Sequence, residues 1–74
     1  MANWSDCSAG ERHPHIVSGV WVFRGTRVPI RALFENLRDG SSIEEVIEWF
    51  PNVTREQIET VLDFEARSLL ESVA

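Results

Sequence analysis

The chain has 74 residues, 43% of them hydrophobic and 26% charged, which allows one soluble domain with a small core. A core of that size leaves a stability of only about 3–5 kcal/mol unless something else helps, and Cys7, the sole cysteine, excludes an intrachain disulfide. The net charge of −5, the absence of lysine and the lack of any apolar run near membrane-spanning length or signal-peptide pattern exclude a free-standing polycation or a membrane span and lead us to expect a cytoplasmic protein.

In chain order, residues 1–12 are small and polar and read as a flexible N-terminal tail or loosely docked arm. Trp4 is the exception, since a lone tryptophan in a tail tends to pack on a neighbour. Residues 13–74 read as one domain that opens with a β arm over 13–28. Within the arm, residues 15–18 and 20–28 are rich in Val, Trp, Phe, Ile and Thr, punctuated by Gly19 and Gly25. Val20, Trp21, Val22 and Phe23 are apolar at consecutive positions, so both faces of the strand call for cover. A chain this short has little with which to provide it, and these four residues are therefore the expected homo-oligomer interface.

Three helices follow. Pro29 is placed to open the first, where its missing N–H costs nothing. Ile30, Leu33, Phe34 and Leu37 form its stripe, and Gly40 ends it as a left-handed cap. Ser42 and Glu45 form a capping box for the second, whose stripe is Ile43, Val46, Ile47 and Phe50 and whose stop is Pro51. Thr54 and Gln57 repeat the box for the third, with Val53 and Ile58 set for a hydrophobic staple. Its stripe runs through Ile58, Val61, Leu62, Ala66, Leu69 and Val73. Two capped helices joined by Pro51-Asn52-Val53-Thr54 have the layout of a helix-turn-helix pair. The expected fold is thus mainly α: a three-helix helix-turn-helix bundle preceded by a short β arm or hairpin.

Three ordered motifs carry a resemblance. The first is Gly19-Val20-Trp21-Val22-Phe23-Arg24-Gly25-Thr26-Arg27-Val28-Pro29-Ile30, the second Asp39-Gly40-Ser41-Ser42-Ile43-Glu44-Glu45, and the third Phe50-Pro51-Asn52-Val53-Thr54-Arg55-Glu56-Gln57. Over about residues 13–72 this pattern resembles the domain of unknown function 433 family. The resemblance implies a homeodomain-like three-helix fold with N-terminal strands that associates as dimers or larger oligomers. It also implies a VapB-like antitoxin role, in which the protein neutralises a PIN-like nuclease toxin and, with it, binds operator DNA. The chain departs from the family where a Gly-Gly-Lys-Pro-like stretch gives way to Gly19-Val20-Trp21, which trades a lysine for a bulky aromatic and favours a buried arm over a basic one.

The candidate residues divide by partner. Arg24, Arg27 and Arg31 could bind phosphate or partner carboxylates, or could pair within the fold while Gly25 supplies a positive φ or a bulge. Arg55 and Gln57, at the start of the third helix, are the types that read guanine and adenine. Glu56, Glu59 and Asp63 on the same helix would repel phosphate. The charge is also divided along the chain: residues 1–34 hold four arginines against two acids, and residues 35–74 hold three against ten. An acidic half suits a basic protein better than DNA. Trp49 and Phe64 fall off the main helical stripes and are the candidate aromatic anchors for a protein partner. His13 and His15 sit at i, i+2, but no complete ligand set accompanies them, so no metal is expected. No cofactor is expected, and no spacing of Ser, His, Cys and carboxylates meets the needs of a catalytic mechanism. The expected function is that of an antitoxin-like binding protein, not an enzyme. The alternatives are a helix-turn-helix transcriptional regulator and an oligomerisation module without a DNA role.

Overall fold

A computed structural model describes residues 4–13 and 19–73, the side chains of 71–73 excepted. The protein is mainly helical. A 3-10 turn, Trp4–Asp6, leads into β1 (Gly10–Arg12), which pairs antiparallel with β2 (Trp21–Phe23); the helices α1 (Ile30–Arg38), α2 (Ile43–Trp49) and α3 (Arg55–Val73) follow.

The segment read as a tail belongs to the packed body. Cys7 and Ala9 are buried. Cys7 N–H donates to the Trp4 carbonyl and Gly10 N–H to the Cys7 carbonyl, both at 3.1 Å. Gly10, Glu11 and Arg12 then lie opposite Phe23, Val22 and Trp21, and Arg24 N–H extends the ladder to the Ala9 carbonyl at 2.8 Å. Gly-Glu-Arg has no strand propensity of its own; it is strand because Trp21-Val22-Phe23 offers an edge to pair with. Gly10 is the residue that lets β1 lie flat on the core, since a Cβ there would stand 3.1 Å from Ile30 Cδ1. The strand expected over 15–18 lies outside the described residues.

The second expected strand, 20–28, is shorter than its composition suggests. Thr26 N–H donates to the Phe23 carbonyl at 3.0 Å with Gly25 at φ +78°, a turn that needs a positive φ at its third position. The chain then returns: Phe23 N–H donates to the Val28 carbonyl at 2.9 Å and Val22 bridges Pro29. This return, β1 and α1 leave Val22 and Phe23 almost fully buried within one chain. The expectation that the apolar run needs a second copy to cover it is thereby corrected. Only Val20 and part of Trp21 keep free surface.

The helices begin and end as their local chemistry dictates. Pro29 is the N-cap of α1, one residue earlier than the helical position expected for it. Gly40 at φ +98° closes α1: its N–H donates to the Leu37 carbonyl and Ser41 N–H to the Asn36 carbonyl, the paired bonds of a Schellman end. Ser42 and Glu45 form a full capping box on α2, and Thr54 and Gln57 exchange the same two bonds on α3, each 3.1 Å.

The core gathers Phe23, Ile30, Leu33, Val46, Val53, Ile58 and Val61 with Cys7 and Ala9. Each large side chain here contributes roughly 1.5–3 kcal/mol by leaving water. The long stripe on α3 is only half used. Ile58 and Val61 are fully buried and Leu62 packs beside them, whereas Ala66 is exposed and Leu69 and Leu70 are 59% and 72% exposed. The helix outruns the body that covers it. No helix among the described residues is long and apolar enough to cross a membrane.

Candidate functional site

The Arg-Gly-Thr-Arg turn is the most densely bonded place on the surface. Its first arginine faces inward along the chain: Arg24 Nε donates to the Ser8 carbonyl and Nη2 to the Gly10 carbonyl, each 2.9 Å. A guanidinium spanning two carbonyls clamps the N-terminal segment to the turn. Glu11 answers from β1. Its carboxylate accepts the Gly25 N–H at 2.8 Å and lies 3.8 Å from Arg24 Nη1 and 3.4 Å from His13 Nε2. The Gly25 N–H, then His13 and Arg24, hold that carboxyl below its usual range. Thr26 Oγ1 donates to the Phe23 carbonyl at 2.8 Å and accepts the Val28 N–H at 3.0 Å. Three of the four motif residues are thus committed to shaping the turn. Arg27 is exposed and has no ion pair among the described residues.

Most of the residues that were candidates for DNA are engaged within the fold. Arg24 is the clamp just described. Arg31 lies 3.5 Å from Glu35 one turn on. Arg55 reaches Glu44 on α2 at 2.8 Å, which also lowers the Glu44 carboxyl from its usual range. Gln57 is engaged three times: it caps α3 in both directions with Thr54, and its Nε2 donates to the Arg24 carbonyl at 2.9 Å. That last bond ties the third helix to the turn, a link between residues 33 positions apart that no local pattern announces.

A candidate surface lies on α2, beside several acids without an arginine partner. From the end of α1 onward, Arg38, Arg55 and Arg67 pair with Asp39, Glu44 and Asp63. Glu45, Glu48, Glu56, Glu59 and Glu65 have no arginine partner among the described residues. Trp49, one turn after Glu45 on α2, is 52% exposed. The structure therefore presents an uncovered indole on a helix that also carries Glu44, Glu45 and Glu48. Phe64, the other expected anchor, is not available in the same way. It is partly buried under Trp4, with ring centroids 4.7 Å apart and planes tilted by 42°.

A second candidate surface was not anticipated. A groove of about 520 Å³ lies between the arm, α1 and α3, lined by Trp4, Val20, Trp21, Pro29, Ile30 and Phe34, with Arg31 and Glu65 as its charged members. The Arg12 guanidinium stands over the Trp21 ring, 5.7 Å from its centroid. Of these residues, sequence patterning singled out Val20 and Trp21 as surface for assembly. The rest of the wall could not be found that way, because it requires Trp4 to fold back sixty positions onto α3. Among the described residues no group of His, Cys, Asp and Glu could hold a metal ion; His13 faces Glu11, and His15 lies outside the described residues.

Comparison with known proteins adds one finding. Residues 11–64 match the family model described as Protein of unknown function (DUF433). No curated protein and no solved structure matches the chain.

Proposed function

We propose that this chain, which belongs to the DUF433 family, is a cytoplasmic antitoxin-like adaptor that oligomerises and docks its acidic helical half on a basic, PIN-like nuclease to neutralise it. The observation that carries this reading is Trp49, half exposed on α2, in a half of the chain where, among the described residues, Arg38, Arg55 and Arg67 are paired and Glu48, Glu56, Glu59 and Glu65 have no arginine partner. An exposed indole is the side-chain type that anchors protein interfaces, and an excess of carboxylates in the same half of the chain steers a cationic partner. The partner class comes from the motif resemblance. The reading assigns the protein no catalytic step, no cofactor and no metal.

Direct DNA reading is the rival. The side-chain bonding disfavours it, since Arg55 and Gln57 would have to abandon Glu44, Thr54 and the Arg24 carbonyl to reach a base edge. Among the described residues Arg27 is the one candidate cation without an ion pair, too little for salt-dependent phosphate binding by itself. Operator binding in this reading therefore needs the partner's charge.

The test is co-expression with the nuclease encoded beside the gene. Wild-type protein should co-purify with it and suppress its ribonuclease activity. Trp49→Ala combined with Glu48→Arg should weaken the complex by roughly a hundredfold, the size expected for losing an aromatic anchor and reversing a rim charge. Undiminished inhibition by that variant would exclude this face. A salt-sensitive mobility shift by the protein alone would favour the rival.

A further inference from the structure

We propose that the apolar groove of one copy receives the uncovered end of α3, around Leu69 and Leu70, from a second copy, so that two chains exchange helix ends about a two-fold axis. The inference rests on the oligomerising part of the proposed function and is independent of its nuclease partner.

Three observations converge on this occupant. The first is that knob and hole are both present on one chain. Leu69 and Leu70 are the most exposed large hydrophobic residues among those described, and the groove offers Trp4, Trp21 and Phe34 as its walls. Glu65 lines the groove and Leu69 follows it by one helical turn. A two-fold axis close to this stretch would place each helix end over the other copy's groove and use both surfaces twice, the self-complementary arrangement that closed dimers require.

The second is charge. The last turn of α3 holds no basic residue, so the negative end of the helix dipole is left uncompensated within the chain. The groove carries Arg31, with Arg12 stacked on its Trp21 wall. Arg31 is 79% exposed and only loosely engaged by Glu35, so it is free to turn toward an incoming helix terminus. Cations meet the negative helix end while leucines meet aromatic rings.

The third is the reach of α3. The last fully buried residue is Val61, and the helix continues to Val73. At 1.5 Å per residue this is roughly 18 Å of helix beyond its last fully buried residue, and past the Phe64 contact with Trp4 it leaves Leu69 and Leu70 uncovered. A freely solvated helix gains nothing from paired leucines there, and isolated helices of this length are marginal.

Light scattering on the protein alone tests the proposal. Wild type should have twice the monomer mass. Leu69→Glu/Leu70→Glu and, separately, Val20→Glu on the groove should each lower the dimer affinity at least about tenfold while helicity by circular dichroism is retained, since all three side chains are exposed. To identify the occupant, Val20→Cys protein is mixed with Leu70→Cys protein under mild oxidation. A mixed disulfide between the two is expected. A monomeric wild type, a dimer indifferent to both charge variants, or cross-links formed only between like variants would each overturn the proposal. Because no nuclease is present, such a result would leave the Trp49 surface standing, just as failure of nuclease binding would leave this dimer standing.

Discussion

The N-terminal segment and the outer half of α3 are two flanks of the same core, joined where Trp4 packs on Phe64. Residues 4–12 are polar and small, yet Cys7 and Ala9 are buried, β1 pairs with β2, and Arg24 holds the Ser8 and Gly10 carbonyls. The outer half of α3 has strong helical character and two adjacent leucines, yet both leucines are largely exposed. The first region is retained by directional bonds to its backbone, which do not depend on its side-chain hydrophobicity. The second has hydrophobicity but no surface of its own chain within reach. Burial follows where the chain can bring a complementary partner, and composition decides only whether burial is rewarded once the partner is there.

Core substitution should have the largest effect and abolish the comparison altogether. Phe23→Ala removes a side chain with 1% exposure at the point where both the arm and α1 meet. It should cost about 3–5 kcal/mol, enough to unfold a domain of this size, with loss of the cooperative thermal transition as the readout. If the arm were merely an appendage, melting of the helices would be unaffected.

Weaker changes should separate the two flanks. Arg24→Ala removes the clamp on the Ser8 and Gly10 carbonyls, and should cost about 1–2 kcal/mol. Amide exchange at Cys7, Gly10 and Arg24 should quicken by about tenfold while the α3 amides around Val61 change less. Gly25→Ala should act in the same region by about 1–2 kcal/mol for a different reason. A Cβ there meets nothing within 4 Å, so the cost is that of the positive φ alone. Uniform exchange throughout the chain in either variant would mean that the segment and the helices unfold as one unit.

Acid should loosen the arm in a defined direction. The Glu11 carboxyl titrates lower in the folded chain than its usual 4.5, chiefly because it accepts the Gly25 N–H. The stabilisation is therefore fully present above pH 4.5 and is lost as the pH falls through the lowered folded value. Glu11→Gln should flatten this acid limb, checked by thermal melts from neutral pH downward; an acid limb identical to wild type would mean that Glu11 does not tether the turn.

The smallest effect belongs to the other flank. Leu69→Ser and Leu70→Ser, measured at dilutions where the chain is monomeric, should change stability by no more than about 0.5 kcal/mol each. A larger loss would show that these leucines are covered in the monomer.

The parts legible in sequence are those whose partners lie within a turn of helix or a tight turn. The Gly40 end, the Ser42 and Thr54 caps and the positive φ of Gly25 are local bonds or local backbone states, and residue type alone selects them. The helical stripes were legible as far as Leu62. Beyond it, periodicity still reports an apolar face but cannot report whether anything stands opposite. The segment read as an N-terminal tail, 1–12, was misread for the converse reason. Gly10-Glu11-Arg12 has no strand pattern, and its bonds run to backbone atoms of β2 and to Arg24, which no side-chain code specifies. Among the site residues, the exposed Trp49 was visible as an off-stripe aromatic. The groove was not, because its wall joins Trp4 to α3 across the whole chain.

The contact of Trp4 with Phe64 has a further consequence, one of timing. It closes a loop of sixty residues, whereas the caps and turns close loops of a few. Loop-closure entropy grows with that separation, so the helices and the α2–α3 corner can assemble while the first residues are still unattached. The ring pair would then form after the rate-limiting step and act as a latch on a body already folded. Trp4→Ala should accordingly speed unfolding and leave the folding rate nearly unchanged, which stopped-flow refolding and unfolding arms would separate. In this small chain, how long the folded state persists is then set in large part by its first described residue.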